Sequence, residues 1–121
     1  AALTAADEGS RGRIIADGMR AAPEFVGGTR RESTALMRSF PGMVAKDGAD
    51  GVYGATLPDG RGVAIKIEDG AGRARPAAIG GVCLQLGLDA DALAPIVAWE
   101  PVSGGGVPVG EMRPVVQLSE A

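Results

Sequence analysis

The sequence predicts an α+β fold, a small antiparallel sheet with flanking helices, and three observations carry that expectation. Apolar residues recur near helical spacing in two segments before residue 42. Short extended runs then flank the turn-forming stretch "PDGRG". A third apolar segment, "AAIGGVCLQLGL", returns to helical spacing and ends at Gly87. At 121 residues the chain amounts to one domain's worth, and residues 1–121 read as a single segment.

The elements follow in order. "AALTAADEGSRG" is small and polar, a frayed or partly helical lead-in. "RGRIIADGMRAAP" places Ile14, Ile15, Met19 and Ala22 near helical spacing, and Pro23 stops it. "EFVGGT" reads as a loop. "RRESTALMRSFPG" is a short helix with Thr29 or Ser33 as its cap and Leu36, Met37 and Phe40 on its buried side. From Gly42 the pattern becomes extended: "GVYGATL" and "VAIKIE" form a hairpin around "PDGRG", and "MVAK" pairs as a third strand. In "VAIKIE", Val63, Ile65 and Ile67 share one face while Ala64, Lys66 and Glu68 share the other. "DGAGRARP" is a loop leading into the helix that carries Ile79, Val82, Cys83 and Leu86 on one side. "DADALAPIVAW" adds a short helix begun by Asp89 and broken at Pro95, and the tail is loop with one edge strand around Val107 to Val109. A three-stranded sheet is thin, and sits more comfortably as part of a larger one.

Composition narrows the function classes. Hydrophobic residues make up 45% of the chain but aromatics only 3%, so the core is expected from Ala, Val, Ile and Leu. A net charge of −3 argues against nucleic acid as a partner, because phosphate binding needs a basic face. No run approaches the roughly 18 to 20 apolar residues of a membrane span, so no membrane association is expected. The single cysteine, Cys83, fits a reducing compartment, and a cytoplasmic location is expected. The chain has no histidine, which removes Ser-His-Asp chemistry and any His-ligated metal site supplied by this chain alone.

Ten of the twelve basic residues are arginine, and the two lysines, Lys46 and Lys66, both fall within residues 44–70. Lysine can be tuned to exchange a proton where arginine stays charged, so each is a candidate for proton chemistry. Lys46 ends a strand and is followed by Asp47, Gly48 and Ala49. Small residues there let a ligand approach the backbone, whose N–H groups suit an oxyanion, while a lysine relays a proton to a serine hydroxyl. A solvated strand-end lysine is the competing reading. Lys66 shares a face with Glu68, and a surface ion pair explains it. "EDGAGR" offers an anion or metal site, with Asp50 and Asp69 as paired carboxylates, although turns and caps explain these residues too. "GGTRRES" reads either as an anion nest or as helix capping, and Cys83 as core.

Several spaced blocks resemble a known family. "PEFVGGT", "LMRSFPGMVAKDG", "GVY" and "IKIEDGAGRA" are similar, in order, to the C-terminal part of the bacterial L-asparaginase II family of the Rhizobium etli type, collinear from about Arg13 to Val115. The resemblance implies a serine β-lactamase/glutaminase-like fold and hydrolysis of L-asparagine to L-aspartate and ammonia. Lys46-Asp47-Gly48 matches the fold's Lys-[Thr/Ser]-Gly strand, which implies Lys46 as the catalytic lysine and Gly48 and Ala49 as substrate-binding backbone. Asp47 departs from that pattern, where a small or hydroxyl residue is preferred, and a carboxylate there is expected to repel a substrate carboxylate or to hold the lysine's proton. Glu32 and Ser33 also stand near a position where the family tends to have cysteine.

The family's Ser-x-x-Lys nucleophile segment and its cysteine-lysine zinc site would lie N-terminal to the matched region, and this chain contains no Ser-x-x-Lys. No cofactor is therefore expected in this chain, with zinc belonging to the complete family member. The expected partners are L-asparagine and either the N-terminal part of the same enzyme or a second copy. Fragment, split-enzyme half and solo paralogue stay open as origins. The alternative function is a truncated, non-catalytic paralogue acting as a binding or dimerisation module.

Overall fold

The computed structural model describes residues 7–96 and 101–119. Helix α1 (Arg11–Ala21) opens on Ser10, whose Oγ accepts from the Arg13 N–H at 3.3 Å and so satisfies one of the open donors of the first turn. Its buried residue is Ala16, while Ile14 and Ile15 are exposed, because α1 meets the rest of the chain along a narrow stripe. The Arg20 Nε donates to the Gly42 carbonyl at 3.1 Å and fastens the helix beside the sheet.

Pro23 ends α1 and also starts a second helical turn, α2 (Pro23–Gly27), in place of the expected loop. Proline suits a first helical position because its missing N–H would have had no partner there. Helix α3 (Glu32–Ser39) follows. Neither Thr29 nor Ser33 caps it: Arg31 occupies the cap position without a side-chain bond, and Ser33 is fully buried. Thr34 instead turns back, its hydroxyl 2.6 Å from the Gly28 carbonyl and 3.1 Å from that of Pro23. Gly27 is required at this contact, since a Cβ would lie 2.3 Å from the Ser33 Oγ.

The sheet forms as the alternation predicts. Strands β1 (Val44–Asp47), β2 (Val52–Thr56) and β3 (Gly62–Lys66) are antiparallel in the order β1-β2-β3. The register Ala45↔Ala55↔Val63 and Asp47↔Tyr53↔Ile65 defines the face toward the core. Lys46↔Gly54↔Ala64 and Val52↔Lys66 lie on the opposite face. A 3-10 turn (Gly72–Ala74) leads into α4 (Arg75–Gln85), which starts before the expected apolar run and buries Ile79 and Cys83. Val82 and Leu86 are half-buried at its margin.

Helix α5 (Ala90–Leu93) is capped as expected, Asp89 accepting from the Ala92 N–H at 2.7 Å. The part of that expectation falling on Val97, Ala98 and Trp99 lies outside the described residues, as does the start of the polar lead-in. The tail forms a hairpin, β4 (Pro101–Gly104) with β5 (Val107–Glu111), in place of one edge strand. Two consecutive positive-φ glycines, Gly105 and Gly106, supply the turn. Residues after β5 run along α4, where Gln85 bonds the backbone of Val116 and of Leu118. Gly81 allows this contact, a Cβ there lying 2.6 Å from the Pro114 Cβ.

The architecture is α+β. Its core joins Leu36, Met37 and Phe40 of α3, Met43, Ala45, Tyr53, Ala55 and Leu57 of the sheet region, Ile79 and Cys83 of α4, and Leu93. Each fully buried large apolar side chain contributes about 1.5 to 3 kcal/mol, so helix and sheet stabilise one another through this layer. No helix among the described residues is long and apolar enough to cross a membrane.

Candidate functional site

The two lysines share the outer face of the sheet but do different things. Lys66, on β3, donates to the Asp50 carbonyl at 2.5 Å and to the Ile67 carbonyl at 2.7 Å. Asp50 sits at φ 51° in the β1–β2 turn, so Lys66 ties a left-handed turn to the end of β3. The expected pairing with Glu68 is not what engages it: two nearby carbonyls satisfy the ammonium first.

Lys46 lies on β1, an edge strand, in a cross-strand row with Gly54 and Ala64. A Cβ built on Gly54 meets nothing within 4 Å, so the face beside Lys46 is open. α1 closes one end of this face through Met19, leaving a groove of about 440 Å³ that Lys46, Val44, Gly54, Thr56 and Ala64 line. The row explains why the groove exists: between the lysine and the far strand no side chain exceeds a methyl group.

The lysine is half-exposed, yet it is held. Its Nζ donates to the Asp47 carbonyl and lies 3.3 Å from the Asp47 Oδ1. Asp47 is the next residue along the strand and therefore points to the opposite, core-facing side, where its carboxylate is only 12% exposed. There Oδ1 accepts from the Ser33 Oγ at 3.4 Å, and Oδ2 accepts from the Arg75 Nη1 at 3.2 Å. Arg31 approaches the same oxygen at 3.6 Å from the exposed side. Burial works to raise the Asp47 carboxyl, but the hydrogen bond and charge of Lys46, with the charge of Arg75, hold it below the ordinary carboxylate range.

Behind Asp47 lies a buried ionic layer that the sequence patterns do not reveal. Arg75 at the start of α4 and Glu32 at the start of α3 are 9% and 8% exposed, with Nε and Oε1 3.2 Å apart. That contact has ion-pair distance without hydrogen-bond alignment, so among the described residues both atoms lack a hydrogen-bond partner. Among the described residues the Tyr53 hydroxyl is a third buried polar atom without a hydrogen-bond partner. Burial first, and then the negative charges of Glu32 and Asp47, push its phenol well above the usual range. No spacing rule joins Glu32, Asp47 and Arg75. The one signal available is an arginine placed directly before an apolar helix.

Gly48 and Ala49, the expected substrate contacts, are exposed in the β1–β2 turn beside Lys46. The Gly48 N–H donates to the Val52 carbonyl at 2.8 Å, and its own carbonyl takes the Arg75 Nη1 at 3.4 Å. Gly48 thus offers a ligand an uncovered backbone rather than an unpaired amide. Asp50 and Asp69 are not a carboxylate pair in function: Asp69 accepts from the Ala71 N–H at 2.9 Å and pairs with Arg73 at 2.5 Å. The Ala71 hydrogen bond and Arg73 together hold its carboxyl below the ordinary range against the effect of burial. Cys83 is fully buried, and burial pushes its thiol up to about 11. Among the described residues no three Cys, Asp or Glu side chains converge on one point. These described residues by themselves do not compose the donor set of a zinc site.

A family model described as L-asparaginase II matches residues 1–114. No curated protein matches the chain.

Proposed function

The chain belongs to the L-asparaginase II family, and from that premise we propose that it is the C-terminal segment of an amidohydrolase converting L-asparagine to L-aspartate and ammonia. The supporting observation is the setting of Lys46: a half-exposed ammonium on an edge strand, beside an open groove and an uncovered Gly48–Ala49 backbone. The serine β-lactamase/glutaminase-like architecture of the Rhizobium etli type belongs to the same proposal, supported by the Lys46-Asp47-Gly48 strand and its helical backing.

The chemistry divides between this chain and the segment that carries the nucleophile. A serine hydroxyl oxygen attacks the side-chain amide carbon of asparagine while a lysine amine takes the hydroxyl proton. Collapse of the tetrahedral adduct breaks the C–N bond, and the departing nitrogen takes a proton from a lysine ammonium and leaves as ammonia. Water then cleaves the acyl ester and releases aspartate. Lys46 is the residue of this chain assigned to the proton relay and to orienting the substrate. Gly48 and Ala49 let the substrate lie against the strand end. Asp47 does not face that substrate: its carboxylate is turned to Arg75 and Ser33, so the expected repulsion is offset within the protein.

Ammonia release from asparagine tests the division of labour. The 121-residue chain alone is expected to show none, and activity is expected when a segment bearing Ser-x-x-Lys is supplied. Turnover by the chain alone overturns the placement of the nucleophile elsewhere. Failure of every such combination favours the non-catalytic module instead. In the active preparation Lys46→Arg is expected to lower kcat by about 10²-fold or more, the usual scale of a general acid–base group. Retained activity would show that Lys46 supplies charge and no proton.

A further inference from the structure

We infer that Arg75 is a positioning residue for Lys46, acting through the Asp47 carboxylate that it neutralises and fixes. The role of Lys46 rests on the reading above; the geometry that links the three residues does not.

Lys46 and Asp47 point to opposite faces of β1, and the ammonium reaches over the strand edge to meet the carboxylate. The Asp47 carbonyl holds the ammonium at the strand edge, and the position of the carboxylate decides which way the ammonium leans from there. Asp47 in turn is placed from the core side by Arg75, at 3.2 Å. Arg75 is held on three sides: by Glu32 at 3.2 Å, by the Gly48 carbonyl at 3.4 Å, and by the chain just before it. A Cβ on Gly72 would stand 3.2 Å from the Arg75 Nη2, so the glycine in "DGAGR" gives the guanidinium its room. That loop, unexplained by any ligand, is accounted for by this packing.

Charge fixes the direction of the effect. Two little-exposed carboxylates, Glu32 and Asp47, face one buried cation, with Lys46 and Arg31 supplying the remaining positive charge from the exposed side. With Arg75 in place Asp47 shares its charge, and Lys46 is held at the strand edge by a half-exposed, breakable pair. Without Arg75, Asp47 becomes a poorly compensated anion and grips Lys46 more tightly. Without the Asp47 charge, Lys46 keeps its bond to the Asp47 carbonyl but loses the ion pair and is held less tightly. The two changes therefore act on Lys46 in opposite senses, which a purely structural role for Arg75 does not predict.

The test uses trace acetylation of the full chain with acetic anhydride near neutral pH, quantified by mass spectrometry. The chain has only two lysines, so Lys66, on the opposite edge strand β3 and bonded to the carbonyls of Asp50 and Ile67 in place of the Asp47 carboxylate, is the internal reference. The Lys46/Lys66 labelling ratio is expected to fall about threefold in Arg75→Met and to rise about threefold in Asp47→Asn, the size expected of a half-exposed pair. Arg75→Lys, which keeps charge but loses the fork, is expected to fall between wild type and Arg75→Met. Movement of both ratios in one direction overturns the proposal. If Arg75→Met does not fold, the near-isosteric Asp47→Asn decides, and an unchanged ratio there overturns the proposal. Acetylation needs no turnover, so a failed asparagine assay sinks the functional reading while leaving this link standing.

Discussion

Replacing Tyr53 by phenylalanine is expected to stabilise the protein. Tyr53 is 1% exposed, and its ring fills the centre of β2 between Asp47 and Ile65. Among the described residues its hydroxyl has no hydrogen-bond partner. A buried hydroxyl without a hydrogen bond costs about 1 to 3 kcal/mol, whereas phenylalanine keeps the ring and its packing. A gain of about 1 kcal/mol follows after allowing for the small void left by the oxygen. For 121 residues, at about 2 cal/mol/K of unfolding entropy per residue, that raises the melting temperature by about 4 °C. Circular dichroism melts and urea titrations measure both quantities. A loss of about 1 kcal/mol or more would refute the reasoning, because the hydroxyl would then have to make a favourable bond.

Tyr53 is also the only tyrosine, so the pH-dependent change in absorbance near 295 nm reports it alone. Its folded-state pKa is raised, so its contribution to stability is complete below the unfolded value near pH 10 and is lost as pH rises above it. Phenolate should appear only together with unfolding. Ionisation near pH 10 in a chain that keeps its far-ultraviolet spectrum would contradict the burial described.

Three further outcomes are expected. Lys66→Met should destabilise by about 1 kcal/mol through loss of its two carbonyl bonds, measured by urea melts, while leaving amide hydrolysis by the active preparation intact. Gly54→Val should leave stability within about 1 kcal/mol, since its Cβ meets nothing and valine suits a strand. It should nevertheless lower hydrolysis at least tenfold in a kcat/KM assay by filling the groove beside Lys46; undiminished activity would show that the groove is unused. Because the Asp47 carboxyl is held below its unfolded value near 3.8, its contribution to stability is present above about pH 4 and is lost as pH falls through the folded value. The stability gap between wild type and Asp47→Asn, from urea midpoints at pH 6 and pH 3, should therefore narrow on acidification.

Local patterns carried most of the fold. Turn residues in "PDGRG" place β2 and β3, and alternation in "VAIKIE" assigns the faces of β3 correctly, because side-chain direction in a strand follows from sequence parity alone. Asp89 as a cap and Cys83 as core follow from equally local rules. The misses share a cause. Local rules make Pro23 a stop although it also starts a helix, and make Thr29 or Ser33 a cap although Thr34 and the Gly28 carbonyl close that turn. Each depends on which backbone group happens to lie opposite, and local propensity does not contain that.

The sequence by itself determined the α+β layout, the family, and the strand on which two lysines stand out against ten arginines. Glycine spacing after Lys46 already favoured it over Lys66, but the sequence did not say what either ammonium touches. Tertiary structure decided that: Lys66 spends its ammonium on two carbonyls of a turn, while Lys46 faces an open groove and is paired with Asp47. It also decided the meaning of Asp47: strand parity points it to the core face, and Arg75, 28 positions along the chain, is the partner that meets it there. Charge pairing acts through space at a few ångströms, so its partners are chosen by the packing of α3, β1 and α4 and not by their spacing in the chain.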